Sequence, residues 1–132
     1  MGFPDGASAL TTLLVVSDVE RSTAWYRDVL GASLFRQYGG DSAVFELLGA
    51  WLLLVAPGGP TDDKPTVTMA PPADPDRPSV EVIFRVDDCW ACYRDLVGRG
   101  AEFLTEPVDR GGEIRAFFRD PDGHLFEISE VT

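Results

Sequence analysis

At 132 residues with a formal net charge of −11, the chain is the size of one domain, able to bury about two thirds of its unfolded surface. Its acidity sets it against nucleic acid and anionic membranes as partners. No apolar run reaches the length of a membrane span, the first residues lack the basic start and apolar core of a signal peptide, and two cysteines three positions apart make no long-range disulfide framework, so a single cytoplasmic domain over 1–132 is the expectation.

Taken in chain order, the first apolar run, 10–16, is rich in β-branched residues and reads as a strand. Ser17 with Glu20 fits a capping box, and Val19, Tyr26, Val29 and Leu30 recur at helical spacing before Gly31, which suits a C-terminal cap. Strand-sized runs follow at 32–38, 43–48 and 51–56, separated by Gly39-Gly40 and Gly49-Ala50. Residues 57–78 hold seven of the ten prolines and predict an extended or partly mobile crossover, with one short strand near 66–69. A second strand-like run at 80–86 leads to Asp87 or Asp88 as helix cap, then to Cys89, Cys92, Tyr93 and Leu96 at helical spacing, with Gly98 or Gly100 at the end. Three more strand-sized runs close the chain, at 101–107, 114–119 and 125–130.

The second set of elements repeats the first. Val16-Ser17-Asp18 matches Val86-Asp87-Asp88 at an offset of 70, and Tyr26-Arg27-Asp28 matches Tyr93-Arg94-Asp95 at 67. The pattern is βαβββ twice, as module one (9–56) and module two (79–131). Between the last two strands, Asp120-Pro121-Asp122-Gly123 is a turn with a mechanism: Pro presets φ, Asp side chains bond nearby amides, and Gly accepts φ > 0. It predicts a hairpin whose second strand carries Glu127 on the face opposite Phe126 and Ile128. A mid-strand carboxylate there reads as a ligand, a general base or the rim of a wet cavity.

The doubled βαβββ pattern, the segment Val16-Ser17-Asp18-Val19-Glu20-Arg21-Ser22 with Trp25-Tyr26-Arg27-Asp28, and the run from Asp120 to Ile128 together resemble the vicinal oxygen chelate superfamily. That superfamily includes glyoxalase I, bleomycin-resistance and fosfomycin-resistance proteins and extradiol dioxygenases. The resemblance implies an α+β fold in which two tandem βαβββ modules form a cup-shaped mixed sheet with the ligand inside. It also implies metal-ligand positions on the first and last strands of each module, which fall here on Thr11, Leu53, Glu81 and Glu127. Two carboxylates, a hydroxyl and an alkyl group suit Zn²⁺, Ni²⁺ or Fe²⁺ poorly, which argues against glyoxalase I and extradiol dioxygenase chemistry. A hard cation, Mg²⁺ or Mn²⁺ on Glu81, Glu127 and water, is the alternative. His124, the one histidine, reads as a solvated turn residue.

Glu81 shares a strand face with Ile83 and Arg85. It is either ion-paired with Arg85 or Arg115, or it faces Glu127 closely enough to share a proton and raise one apparent pKa. Cys89 and Cys92 lie on the apolar spacing of their helix and read as packing residues rather than a redox pair. Among the aromatics Trp25, Tyr38, Phe45, Trp51, Phe103 and Phe117, most read as core, and Trp51 is the best stacking platform. The expected protein is a homodimer that binds a small apolar or cationic organic molecule, such as a drug or natural product, without a cofactor. Thr11, Trp51, Leu53, Arg85, Arg115 and Phe117 are the candidate ligand-binding residues. The alternative is a lyase or isomerase that uses Glu81 and Glu127 as catalytic bases.

Overall fold

The computed structural model describes residues 2–132. Module one consists of β1 (Thr11–Val15), α1 (Val19–Asp28), β2 (Ser33–Tyr38), β3 (Ser42–Leu47) and β4 (Ala50–Val55). Module two consists of β5 (Glu81–Arg85), α2 (Cys89–Arg99), the short β6 (Glu102–Phe103) and β7 (Val108–Asp109), β8 (Glu113–Arg119) and β9 (Leu125–Val131). The fold is α+β and the βαβββ repeat is present, built as two separately hydrogen-bonded sheets in the orders β1-β4-β3-β2 and β5-β9-β8-β6, with β7 also on β8. In each module the first strand runs parallel to the last, and the remaining pairs are antiparallel.

Local chemistry explains where elements begin and end. Asp18, not Ser17, caps α1: its extended backbone (φ −142°) lets the carboxylate accept the Arg21 amide at 3.0 Å. Ser17 is engaged elsewhere, its hydroxyl with Arg21 at 2.8 Å and its amide with Asp122 at 3.1 Å. Asp88 caps α2 in the same way, accepting from Ala91 at 2.9 Å, and Gly100 ends it in the left-handed region that glycine adopts without steric cost. Of the run 101–107 only Glu102–Phe103 forms a strand, β6, and β7 follows just beyond it at Val108–Asp109. Thr105 turns onto the Glu106 carbonyl, and Pro107 has no N–H to give a ladder. The short strand expected near 66–69 is reduced to a single bridge between Gly58 and Met69.

One face of each sheet is covered by its own helix, and these covered faces also join the modules. Phe45, Phe118, Phe126, Leu54 and Ile128 are fully buried with Tyr26 of α1. Trp25 and Tyr26 of module one each lie 6.0 Å from Phe126 of module two, ring to ring. Truncating a buried ring of this kind costs about 3–5 kcal/mol.

The Asp-Pro-Asp-Gly turn is the hairpin tip between β8 and β9, and it also locks the two modules together. Asp120 accepts the amides of Asp122 and His124 on one oxygen and the Tyr26 hydroxyl on the other, at 2.6 Å. His124 is not solvated as expected. It is half-buried with Nε2 2.7 Å from the Val15 carbonyl at the end of β1. The proline-rich crossover is pinned at the same place. Asp76 pairs with Arg119 at 2.6 Å, and Pro75 lies so close under Gly123 that an added Cβ would meet it at 2.8 Å.

Candidate functional site

The face of each sheet turned away from its helix carries the residues singled out in the sequence. In module one, Thr11 pairs with Trp51 and Leu13 with Leu53 across β1 and β4. Strand alternation therefore puts all four on one face, opposite the buried Leu52 and Leu54. Phe35, beside the register shift between Leu34 and Arg36 in β2, meets Trp51 edge to face, with ring centroids 5.2 Å apart. Arg36 lies over Phe35 at 5.6 Å. Phe35 was not singled out in the sequence, although it has the strand phase of Ser33, which pairs with Glu46 in register with Trp51.

In module two, three rows cross β8, β9 and β5 on the open face: Arg119, Leu125 and Glu81; Phe117, Glu127 and Ile83; Arg115, Ser129 and Arg85. Glu81, Glu127, Arg85, Arg115 and Phe117 are thus brought together on this face, with Thr11, Trp51 and Leu53 on the face of the other sheet. Phe45 and Phe103 lie on the core side instead: Phe45 is fully buried, and Phe103 packs on Phe118 at 4.9 Å. Trp25 packs on Phe118 as well.

The arginines do not pair with Glu81. Arg85 donates to Ser129 at 2.8 Å, Ser129 donates to Glu113 at 2.6 Å, and Arg115 donates to Glu113 at 3.2 Å. Glu113 and Ser129 were not singled out in the sequence, although both have the strand phase of Glu127. The hydrogen bond from Ser129 is the main reason the Glu113 carboxyl is held below its usual range, with the two guanidiniums adding to it.

Glu127 is left with Glu81. It is only 5 % exposed, between Phe117 and Ile83 in register. Its pKa is pushed up to about 7, first by burial, then by the hydrogen bond and charge of Glu81 and the charge of Glu113, with Arg115 opposing. A carboxyl that titrates near neutrality can donate, accept or exchange a proton under ordinary conditions.

The cysteines belong to the packing. Cys89 is fully buried under β9, its thiol 3.8 Å from the Ile128 carbonyl, and burial pushes that thiol up to about 11. An activated nucleophile needs the opposite shift.

A profile of the Glyoxalase/Bleomycin resistance protein/Dioxygenase superfamily matches residues 9–128. The chain belongs to this superfamily. Among curated relatives, it is 31 % identical over 123 residues to a metallothiol transferase, FosB, of Lysinibacillus sphaericus, covering 91 % of this chain and 79 % of that one. Among solved structures, a glyoxalase/bleomycin resistance protein/dioxygenase from Nocardioides superposes with a TM-score of 0.76 at 25 % identity, over 94 % of this chain and 83 % of the other. The fosfomycin resistance protein FosX of Listeria monocytogenes shares the fold with a TM-score of 0.70 at 20 % identity, covering 96 % and 92 %.

The metal-ligand positions that the resemblance to this superfamily implies are held here by Thr11, Leu53, Glu81 and Glu127. Those residues do not fit a transition ion. Leu53 offers no donor, and no imidazole stands at any of the four. Among the described residues, no three His, Cys, Asp or Glu side chains are grouped to hold a metal ion. No helix among them is long and apolar enough to cross a membrane.

Proposed function

We propose that this chain is a cytoplasmic binding protein of the glyoxalase/bleomycin-resistance type. It takes up a small, largely apolar or cationic organic molecule, of the kind found among drugs and natural products, without a transition metal. The observation that carries the reading is the make-up of the open faces. One offers an aromatic pair, Trp51 on Phe35; the other offers Ile83 and Phe117 around a carboxyl pair whose neighbouring arginines are engaged by Glu113 and Ser129. Flat apolar surface with a few placed polar groups is the chemistry of a small-molecule site, and the excess acidity of the chain favours a neutral or cationic guest.

A homodimer completes the site in this reading. Leu13, Phe35, Tyr38, Ile83 and Val131 are exposed, all five on strands of the two sheets. Module one of one copy laid over module two of a second covers these side chains and closes a cup between them. The relatives that resist antibiotics make sequestration of a drug a consistent role. The test is a thermal-shift and calorimetric screen of natural products and drugs, repeated after chelation and with Trp51→Ala. A ligand that stabilises the chelated wild type and not the variant supports the proposal; binding that requires an added transition metal sinks it.

A second reading rests on Glu127 alone. A buried carboxyl with a pKa of about 7 is tuned for general-base work, as a lyase or isomerase requires, either unaided or beside Mg²⁺ or Mn²⁺. Turnover of oxo-acid or thiohemiacetal substrates that disappears in Glu127→Gln favours it over simple binding.

A further inference from the structure

The open face of module two is charged at both ends and apolar between them. Its rows lie two residues apart along β5 and β9, a step of about 7 Å. Glu81 and Arg85 therefore stand two rows, about 13 Å, from each other. Ile83 and Phe117 form the floor between them, on either side of Glu127.

The acidic end lacks a cation. Arg119, in the row of Glu81, is held by Asp76 at 2.6 Å. Glu127 is buried, yet no amide, guanidinium or hydroxyl group among the described residues donates to it; the nearest arginines donate to Ser129 and Glu113 instead. Such a carboxyl is costly to bury, and a charged N–H satisfies it best. Glu81 beside it is exposed, so a cation can reach the pair from solvent.

The basic end has one charge in excess. Arg85 and Arg115 share a single carboxylate, Glu113, and each spends only Nη1 on it and on Ser129. The Nε and Nη2 donors of both have no acceptor among the described residues. They are accessible, since the two side chains are 59 % and 36 % exposed. The Arg115 guanidinium leans over Phe117, 5.4 Å from its ring centroid, and so reaches back above the apolar floor.

We propose that this face selects a dipolar guest, with an ammonium group at one end, a carboxylate or similar oxyanion at the other and an apolar body between. The ammonium meets Glu81, with Glu127 behind it. The oxyanion takes the spare donors of Arg85 and Arg115, and the body lies on Ile83 and Phe117. With about 3 Å for a charged hydrogen bond at each end, the guest's own charges stand about 7 Å apart. This rests on the small-molecule reading above and narrows it to guests that are neutral as the sum of two charges, which suits a chain too acidic to favour a net anion.

The test is titration of the full chain with 4-(aminomethyl)benzoate, whose charges have about that separation, followed by calorimetry and amide NMR shifts. Benzylamine and 4-methylbenzoate, each with one of the two charges on the same ring, are the comparisons. The expected result is saturable binding with shifts centred on β5, β8 and β9, and both single-charge analogues binding at least about threefold more weakly. Arg85→Gln, at an exposed position, weakens the dipolar probe about threefold and leaves benzylamine unchanged, whereas Glu81→Gln weakens both. Benzylamine binding as tightly as the dipolar probe, or undiminished affinity of that probe in either variant, overturns the proposal and leaves a cationic guest standing. Absent saturation, or shifts centred off these strands, overturns it too, and the small-molecule reading falls with it only if the wider screen finds no guest on either open face.

Discussion

Glu81 raises the pKa of Glu127 beside it on the open face of module two, where the nearest arginines are engaged by Glu113 and Ser129. The folded-state pKa of Glu127, about 7, stands above its ordinary 4.5, so the folded chain holds that proton more tightly than the unfolded chain does. The resulting stability is complete below pH 4.5, declines as the pH rises, and is gone above pH 7. Thermal melts are therefore expected to show the wild type losing ground to Glu127→Gln between about pH 5 and 8. Two parallel profiles contradict this. Carboxyl NMR titration of Glu81→Gln is expected to show the Glu127 pKa falling, since hydrogen bond and charge leave together.

Tyr26 ties α1 to the hairpin of module two by donating to Asp120 at 2.6 Å. Tyr26→Phe removes the donor and leaves a buried carboxylate oxygen unpaired, at a cost of about 1–3 kcal/mol. Urea denaturation measures the loss, and faster hydrogen exchange at 120–124 locates it. The same substitution raises the Asp120 pKa further, because the tyrosine opposes the upward push of burial there. A variant as stable as the wild type means that the tie contributes nothing.

Gly123 meets two requirements at once. It has φ +91° and lies over Pro75, where a new Cβ would approach to 2.8 Å. Gly39 also has positive φ (+61°), and a Cβ added there would meet nothing within 4 Å. Gly39→Ala therefore isolates backbone strain, about 1–2 kcal/mol, and Gly123→Ala is expected to lose more, since the crossover must also move. Chemical denaturation of the two variants side by side decides it, and equal losses rule out the Pro75 contact.

The repeat made the fold legible. Matching Val16-Ser17-Asp18 to Val86-Asp87-Asp88 predicts both modules, and period-two alternation places Glu127 opposite Phe126 and Ile128, as found. Three features were illegible for physical reasons. His124 has the sequence context of a surface turn, and only the packing of β1 beside that turn gives its ring a carbonyl. Phe35 has the strand phase of Ser33, and only the pairing of β2 with β3 and of β3 with β4 makes that phase the face of Trp51. Glu113 takes both arginines because Ser129 holds it between them, a choice among carboxylates set by distances that spacing does not encode.

Trp51 provides a direct probe of the binding face. Trp51→Leu keeps an apolar residue on β4 but removes the edge-to-face partner of Phe35, a pair whose geometry contributes about 0.5–1.5 kcal/mol beyond its area. Any ligand found in the screen is expected to bind roughly three- to tenfold more weakly, with thermal stability nearly unchanged. Undiminished affinity places the ligand elsewhere.

The most direct test of the central claim is elemental analysis of the native chain together with calorimetry of its ligand after exhaustive chelation. The expected result is no stoichiometric Ni, Zn or Fe and an affinity unchanged by chelation. One tightly held transition ion per chain, or binding that chelation abolishes and the metal restores, contradicts it.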